Sequence, residues 1–243
     1  MTESNSSPII LVPGHWLGAW AWDKVVGHLH NAGCQAIPLT LPGLDPQDPE
    51  RSSRTLDDQA TAIEDALRQA VDAAKQSAVL VAHSGANVPV SLVLDRCPEL
   101  VCHMVWVDSG PAAPGSIFAS GTTDLVEMPL PDFDQLAAQA SLEGLDADDL
   151  ALFRSHAVPE PSLVLRQAVE LSNSQRLAVP TTLVCCSMSS TQIMELAHSG
   201  HPMFAEVVTL QFYNLVDLPT GHWPMWSRPY ELATIITKVA ESL

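Results

Sequence analysis

Short, uninterrupted apolar runs that recur with room for one helix between them constrain this chain more than any other feature. Ile9-Ile10-Leu11-Val12, Ala78-Val79-Leu80-Val81 and, after His103, Met104-Val105-Trp106-Val107 of the strand Val101–Val107 are too short for helices. They also lack the alternation of a strand with one wet face, so each predicts a strand buried on both sides, the mark of a parallel sheet. Residues 35–39, 182–186 and part of 207–216 supply three more strands. Helical patterns fill the gaps. One spans 19–32, with Trp22, Val25, Val26 and Leu29 on one face and Gly33 as its C-terminal cap. A second opens at Thr55, with Asp58 three residues on, and runs to about Ala74. Others cover 87–95, 193–198 and 229–242, the last with Leu232, Ile235, Ile236 and Val239 inward. Strands alternating with helices give an α/β protein: a parallel six-stranded-type sheet with helices on both faces.

Residues 111–179 break the rhythm with Gly, Pro and acidic residues between short helical pieces at 133–140 and 147–154. This predicts a small helical lid, inserted after the fourth strand into a core made of 1–110 and 180–243. Such an insertion lies over the carboxyl ends of the strands, where open α/β sheets bind ligands. Asp124, Asp132, Asp134, Asp146, Asp148 and Asp149 make it acidic, and most are read as solvated surface. Ile117, Phe118, Leu125, Val126, Met128, Leu130 and Phe133 are interleaved with them, to pack on the core or line an apolar pocket.

The chain carries 28 acidic against 11 basic residues, a net charge of −17, with no basic cluster. Nucleic acid and anionic membrane surfaces are therefore excluded as partners. No run approaches a membrane span, and Met1-Thr2-Glu3-Ser4-Asn5-Ser6-Ser7 is too polar for a signal peptide. Five cysteines, two of them adjacent at 185 and 186, read as reduced core thiols of a cytoplasmic protein. The expected partner is a small-molecule substrate, and a homodimer is compatible with the composition. His198 and His201 share a spacing that metal ligands use, but Gly200 and Pro202 interrupt the helix and no third ligand follows. Neither a metal nor an organic cofactor is implied.

Three segments should converge at one edge of the sheet. In Ala82-His83-Ser84-Gly85-Ala86, a buried strand ends, Ser84 takes a sharp turn and a helix begins. Such a turn exposes the hydroxyl at a helix N-terminus; the usual flanking residues are glycines, so the two alanines carry an expected mild strain. His222, in Thr220-Gly221-His222-Trp223-Pro224, follows the last strand, from where an imidazole can take the proton of Ser84. Pro13-Gly14-His15-Trp16 follows the first strand. The backbone of His15 or Trp16, together with that of Gly85, is a candidate pair of oxyanion donors. Each has a plainer alternative: a helix-capping Ser, a loop His, a packing Trp.

The stretches Leu11-Val12-Pro13-Gly14-His15, Gly18-Ala19-Trp20-Ala21-Trp22 and His222-x-Pro224-Met225-x-Ser227-x-Pro229-x-x-Leu232 resemble the α/β-hydrolase fold superfamily over nearly the whole chain. Within it the chain is most similar to the group of plant methylesterases and hydroxynitrile lyases. The resemblance implies a Ser–His–acid triad, with the acid usually in the loop after the fifth strand. Here that loop reads Cys186-Ser187-Met188-Ser189-Ser190-Thr191-Gln192 and holds no carboxylate; Ser189 stands about where the acid is expected. Asp108, ending the fourth strand, is the alternative, a place resembling that of the acid in haloalkane dehalogenases. One helix and one strand fit between Ser84 and Asp108, which puts both at the same sheet edge. The plainer role for Asp108 is to cap a turn with Ser109 and Gly110.

The expected function is a serine hydrolase cleaving an ester or lactone of a small, largely apolar molecule through Ser84, His222 and Asp108. His83 is expected to be structural. Trp16, Trp106, Trp223, Phe118 and Met128 are candidate substrate contacts, core packing being the commoner fate of a Trp. A lyase or cyclase using Ser and His as acid and base, and a ligand-binding pseudo-enzyme, are the rival readings.

Overall fold

The computed structural model describes residues 7–118 and 125–243. Asp124, counted above among the acidic residues of the insertion, and the polar stretch 1–6 lie outside them.

The chain begins with β1 (Ile9–Val12), every residue of which is buried. The helix expected over 19–32 divides: a 3-10 turn at Ala19–Trp22 precedes α1 (Asp23–Asn31). Gly33 closes it with a φ of 82°, a conformation that glycine adopts without Cβ strain. β2 (Ala36–Pro38) follows, then α2 (Leu56–Ala74). Thr55 and Asp58 form the expected capping box, each side chain accepting from the other's backbone N–H. β3 (Ala78–His83), α3 (Asn87–Arg96) and β4 (Val101–Val107) come next.

The segment between β4 and the next sheet strand holds β5 (Glu127–Met128), α4 (Phe133–Ala137), α5 (Ala147–His156), β6 (Glu160–Pro161) and α6 (Ser162–Arg166). β5 and β6 pair only with each other, antiparallel. The chain then returns through β7 (Thr181–Cys185), α7 (Ser190–His198), β8 (Tyr213–Asp217), α8 (Pro224–Ser227) and α9 (Pro229–Glu241).

Six strands form one parallel sheet in the order β2-β1-β3-β4-β7-β8. Alternate residues feed two apolar layers. Ile10, Val12, Leu80, Ala82, Met104, Trp106 and Leu183 face α2, α3 and α7. Ile9, Leu11, Val79, Val81, Val105, Val107 and Val184 face α1 and α9. Leu136 and Phe153, from the segment between β4 and β7, join the second layer beside Trp22 and Trp226. That segment is thus anchored by apolar packing rather than laid on the surface.

Strand register decides what meets at the carboxyl edge. Val12 pairs with Ala82, His83 with Val107, and Val107 lies one strand from Val184. The residues just past β1, β3, β4 and β7 are therefore neighbours in space.

Candidate active site

Ser84 and Asp108 are the first residues beyond two paired strand ends, and both have left-handed backbones, with φ of 51° and 45°. Non-glycine residues in that region carry strain, and they concentrate at functional sites. Strain was expected on the flanking alanines, but Ala86 has an ordinary φ of −65°; it is Ser84 itself that bears it. The two corners are tied together. Ser109 Oγ donates to the Ser84 carbonyl at 2.8 Å, and Asn87 Nδ2 donates to the Gly110 carbonyl at 3.1 Å. Gly14 lets the first loop lie against this turn, since a Cβ there would meet Ser84 Cβ at 2.8 Å and the His83 carbonyl at 2.9 Å.

His222 stands between the corners. Its Nε2 is 2.7 Å from Ser84 Oγ and its Nδ1 is 2.5 Å from Asp108 Oδ2. Asp108 accepts only, so Nδ1 carries the proton and Nε2 of the neutral ring faces the hydroxyl as an acceptor. The ring is held from several sides. The backbone N–H of His222 donates to the Ser141 carbonyl at 2.8 Å, and that of Gly221 to the Glu143 carbonyl at 3.1 Å. His83 Nε2 donates to the His222 carbonyl at 2.7 Å, and Trp223 packs edge-on at 4.9 Å between ring centroids.

The loop after β7, which carries no acid, supplies donors to one instead. Cys186 N–H and Ser187 N–H reach Asp108 Oδ1 at 3.1 and 2.9 Å, and Ser187 Oγ reaches Oδ2 at 2.6 Å. Burial pushes the Asp108 carboxyl up, but the bonds from His222 and Ser187 outweigh it, and the net shift is downward. Ser189, at the place expected for an acid, caps α7 through Gln192. His83 is fully buried, and burial followed by the charge of His222 pulls it down to about 3, so it is a neutral support.

The first loop is organised by a residue that the sequence did not single out. Glu160 is 1% exposed and accepts from Gln59 Nε2 at 3.1 Å and Trp16 N–H at 3.4 Å, and its Oε2 lies 3.2 Å from His15 Nδ1. Of the two candidate backbone donors, Trp16 is therefore turned to Glu160, which leaves His15. Trp16 has a φ of 67°, and its indole Nε1 donates to the Met128 carbonyl at 3.1 Å. Both Trp16 and Met128 thus stitch the loop to the segment after β4.

Three other expected substrate contacts divide. Phe118 is half exposed and sits edge-on against His15, with ring centroids 4.2 Å apart. Trp223 is buried and backs His222, touching Phe153 on its other side. Trp106 needs correction as a site residue. It is 1% exposed and points into the layer facing α3 and α7, beside Ser91 and Leu94. Its neighbours Val105 and Val107 face the opposite layer, as strand alternation requires.

Glu160, Gln59 and Ser187 escaped the sequence reading because they act through distant partners. The one available signal was the loop after β7, which has donors where a carboxylate was missing. Among the described residues, no cluster of three or more His, Cys, Asp or Glu side chains could hold a metal ion, and no helix is long and apolar enough to cross a membrane. His198 Nδ1 donates to the Met194 carbonyl within its own helix at 2.7 Å.

A model of the alpha/beta hydrolase family matches residues 9–235. Esterase PIR7B of Oryza sativa subsp. japonica is 28% identical over 134 residues, covering 54% of this chain and 49% of the rice protein; the chain thus aligns with about half of that relative. Methylesterase 4 of Arabidopsis thaliana is 21% identical over 272 residues, covering 99% of this chain and 98% of its own length. Among solved structures, the Arabidopsis methylesterase MES16 superposes with a TM-score of 0.72 at 18% identity, covering 98% of this chain and all (100%) of that one. Tomato methylketone synthase I complexed with 2-tridecanone gives 0.74 at 16% identity, covering 98% of each chain. At those identities the structural likeness speaks for the fold alone. With the six-stranded parallel sheet and a family match across almost its whole length, the chain belongs to the alpha/beta hydrolase family.

Proposed function

We propose that this protein is a serine hydrolase cleaving an ester bond, open-chain or lactone, in a small and largely apolar molecule. The observation that carries the reading is the continuous relay from Ser84 Oγ through His222 to Asp108, at 2.7 and 2.5 Å. His222 Nε2 takes the proton as Ser84 attacks the carbonyl carbon. Asp108 holds the tautomer and stabilises the imidazolium as it forms. The backbone N–H groups of Gly85 and His15 receive the oxyanion, each contributing roughly 3 kcal/mol to the transition state by comparison with related sites. The tetrahedral intermediate collapses, His222 protonates the leaving alkoxide, and an acyl-Ser84 ester remains. His222 then takes a proton from water, which attacks the acyl carbon and releases the acid.

Residues 111–179 act as a lid, with Phe118 and Met128 toward substrate. The hydrolase family match and the esterase relatives support the reaction class. Burial raises the thiols of Cys97 and Cys185 to about 11 and about 12, in keeping with inert cysteines in a reducing cytoplasm.

A fluorophosphonate probe tests the proposal. Covalent labelling at Ser84, with aryl-ester turnover abolished in Ser84→Ala, is the expected result. Turnover without labelling would mean that Ser84 and His222 only move protons and form no acyl-enzyme, as a lyase or cyclase site on this fold would. Tight ligand binding with neither labelling nor turnover would make the protein a binding module.

A further inference from the structure

The loop after β1 makes a tight turn in a form that its own residues do not favour. Leu17 N–H donates to the Gly14 carbonyl at 3.3 Å, which closes a four-residue turn with His15 and Trp16 at its centre. Trp16 has a φ of 67° while that of His15 is negative, the signature of a type II turn. The third position of such a turn suits glycine or asparagine. A tryptophan there is strained, and a type I turn would relax it. The two types differ by rotating the one peptide between the central residues, here His15–Trp16, through roughly half a turn.

That peptide is gripped by the segment inserted after β4. Trp16 N–H donates to Glu160 Oε2 at 3.4 Å, the Trp16 carbonyl accepts from Val158 N–H at 3.0 Å, and the indole Nε1 donates to the Met128 carbonyl at 3.1 Å. Every polar group of Trp16 thus bonds to one segment. Met128 and Glu160 are paired across β5 and β6, so the ribbon holds Trp16 from both of its strands. Gln59 Nε2, tied also to the Pro42 carbonyl at 3.2 Å, fixes the other carboxylate oxygen at 3.1 Å. Rotating the peptide would turn the His15 carbonyl toward Glu160, and a carbonyl and a carboxylate both only accept. Glu160 therefore favours the strained form by the N–H it accepts and opposes the relaxed one by having nothing to donate.

We propose that Glu160 is a positioning residue for the oxyanion site: it locks the turn over residues 14–17 in its type II form and so sets the place of the His15 N–H. The inserted segment then supplies the geometry of an oxyanion donor as well as a cover for the substrate. The inference rests on the hydrolase reading for its effect on rate, but the state of the turn can be read without turnover. A donor displaced by about an ångström loses much of its bond to the transition state, at a cost of about 10²-fold in rate, while ground-state binding changes little.

Glu160→Met removes the acceptor at nearly constant volume. On an aryl ester its kcat should fall by roughly 10²-fold with KM little changed. Affinity for an aryl trifluoromethyl ketone, whose adduct with Ser84 places an oxyanion between the same donors, should fall by about the same factor. Glu160→Gln, which keeps an acceptor of the same reach, should recover most of both. In a crystal structure of Glu160→Met the φ of Trp16 should be negative. Should that variant fail to fold, Glu160→Asp, which draws the carboxylate back by one methylene, takes its place with the same expectations. A Trp16 corner that stays left-handed without its acceptor overturns the inference. So does a loss that falls on KM, or a kcat and a ketone affinity that do not fall together. A wild type with neither turnover nor ketone binding would instead sink the hydrolase reading, and the crystallographic φ would then decide the lock by itself.

Discussion

His222 with Asp108 and His15 with Glu160 are the same chemical unit used twice at one sheet edge. In both, a buried carboxylate lies beside Nδ1 of an imidazole, at 2.5 Å for His222 and 3.2 Å for His15, and only in the first is the pair hydrogen-bonded. The difference lies in what Nε2 faces and where the carboxylate is rooted. Asp108 ends a central strand and is fed by two backbone N–H groups and a hydroxyl from the next strand's loop. Glu160 belongs to a two-residue strand outside the main sheet and shares its oxygens with Gln59 and the Trp16 backbone. His222 faces a hydroxyl poised to attack; His15 faces a glycine Cα. An imidazole–carboxylate pair is therefore not a catalytic element in itself, and its role is set by the atom opposite the free nitrogen.

That contrast can be broken most decisively at the nucleophile. Ser84→Ala should lower kcat on an aryl ester by about 10⁵-fold or more, as loss of a triad serine does elsewhere. Wild-type turnover would remove the relay from the chemistry. Asp108→Asn should cost about 10⁴-fold in kcat by favouring the wrong tautomer of His222. Glu160→Gln is the matched change at the other pair, and it should cost far less in kcat on the same ester; equal losses would mean that the two pairs are not functionally distinct. Ser187→Ala removes one hydrogen bond to a charged acceptor, an effect of about 1.5–3 kcal/mol, so kcat should fall roughly 10- to 150-fold with KM little changed.

The last effect is on stability rather than on rate. His83 is held near 3 in the folded chain against an ordinary 6.5, so between those values the unfolded chain binds the extra proton. Unfolding free energy should therefore fall as the pH drops below about 6.5, by at most ~1.4 kcal/mol per pH unit from this group. Asp108, whose carboxyl is lowered, adds a loss of the same sign at more acid pH, as that carboxylate is protonated. Denaturant titrations of His83→Gln between pH 7 and 4 should show a shallower decline; an unchanged slope would assign the acid sensitivity elsewhere.

Much of the fold is legible in the sequence because period and burial speak locally. The doubly buried runs mark the sheet, and Thr55 with Asp58 marks a helix start before any tertiary contact is known. Ser84, Asp108 and His222 are legible because strand ends in a parallel sheet share an edge. Trp106 fails the same test: its place beside Asp108 in the chain hides that alternation turns it into the far layer. Glu160 has no local signature at all. It lies between two prolines in a segment without periodicity, and only the closed structure brings it to His15, far away in the chain.

The two left-handed corners at Ser84 and Asp108 tax the scaffold that carries them, at about 1–3 kcal/mol each for a non-glycine residue so constrained. Heat resistance and turnover are therefore partly opposed in this molecule. A library sorted for thermal survival alone would tend to relax those bends and accumulate robust but inert proteins. Stabilising work belongs on the distant helices, with both corners left as they are.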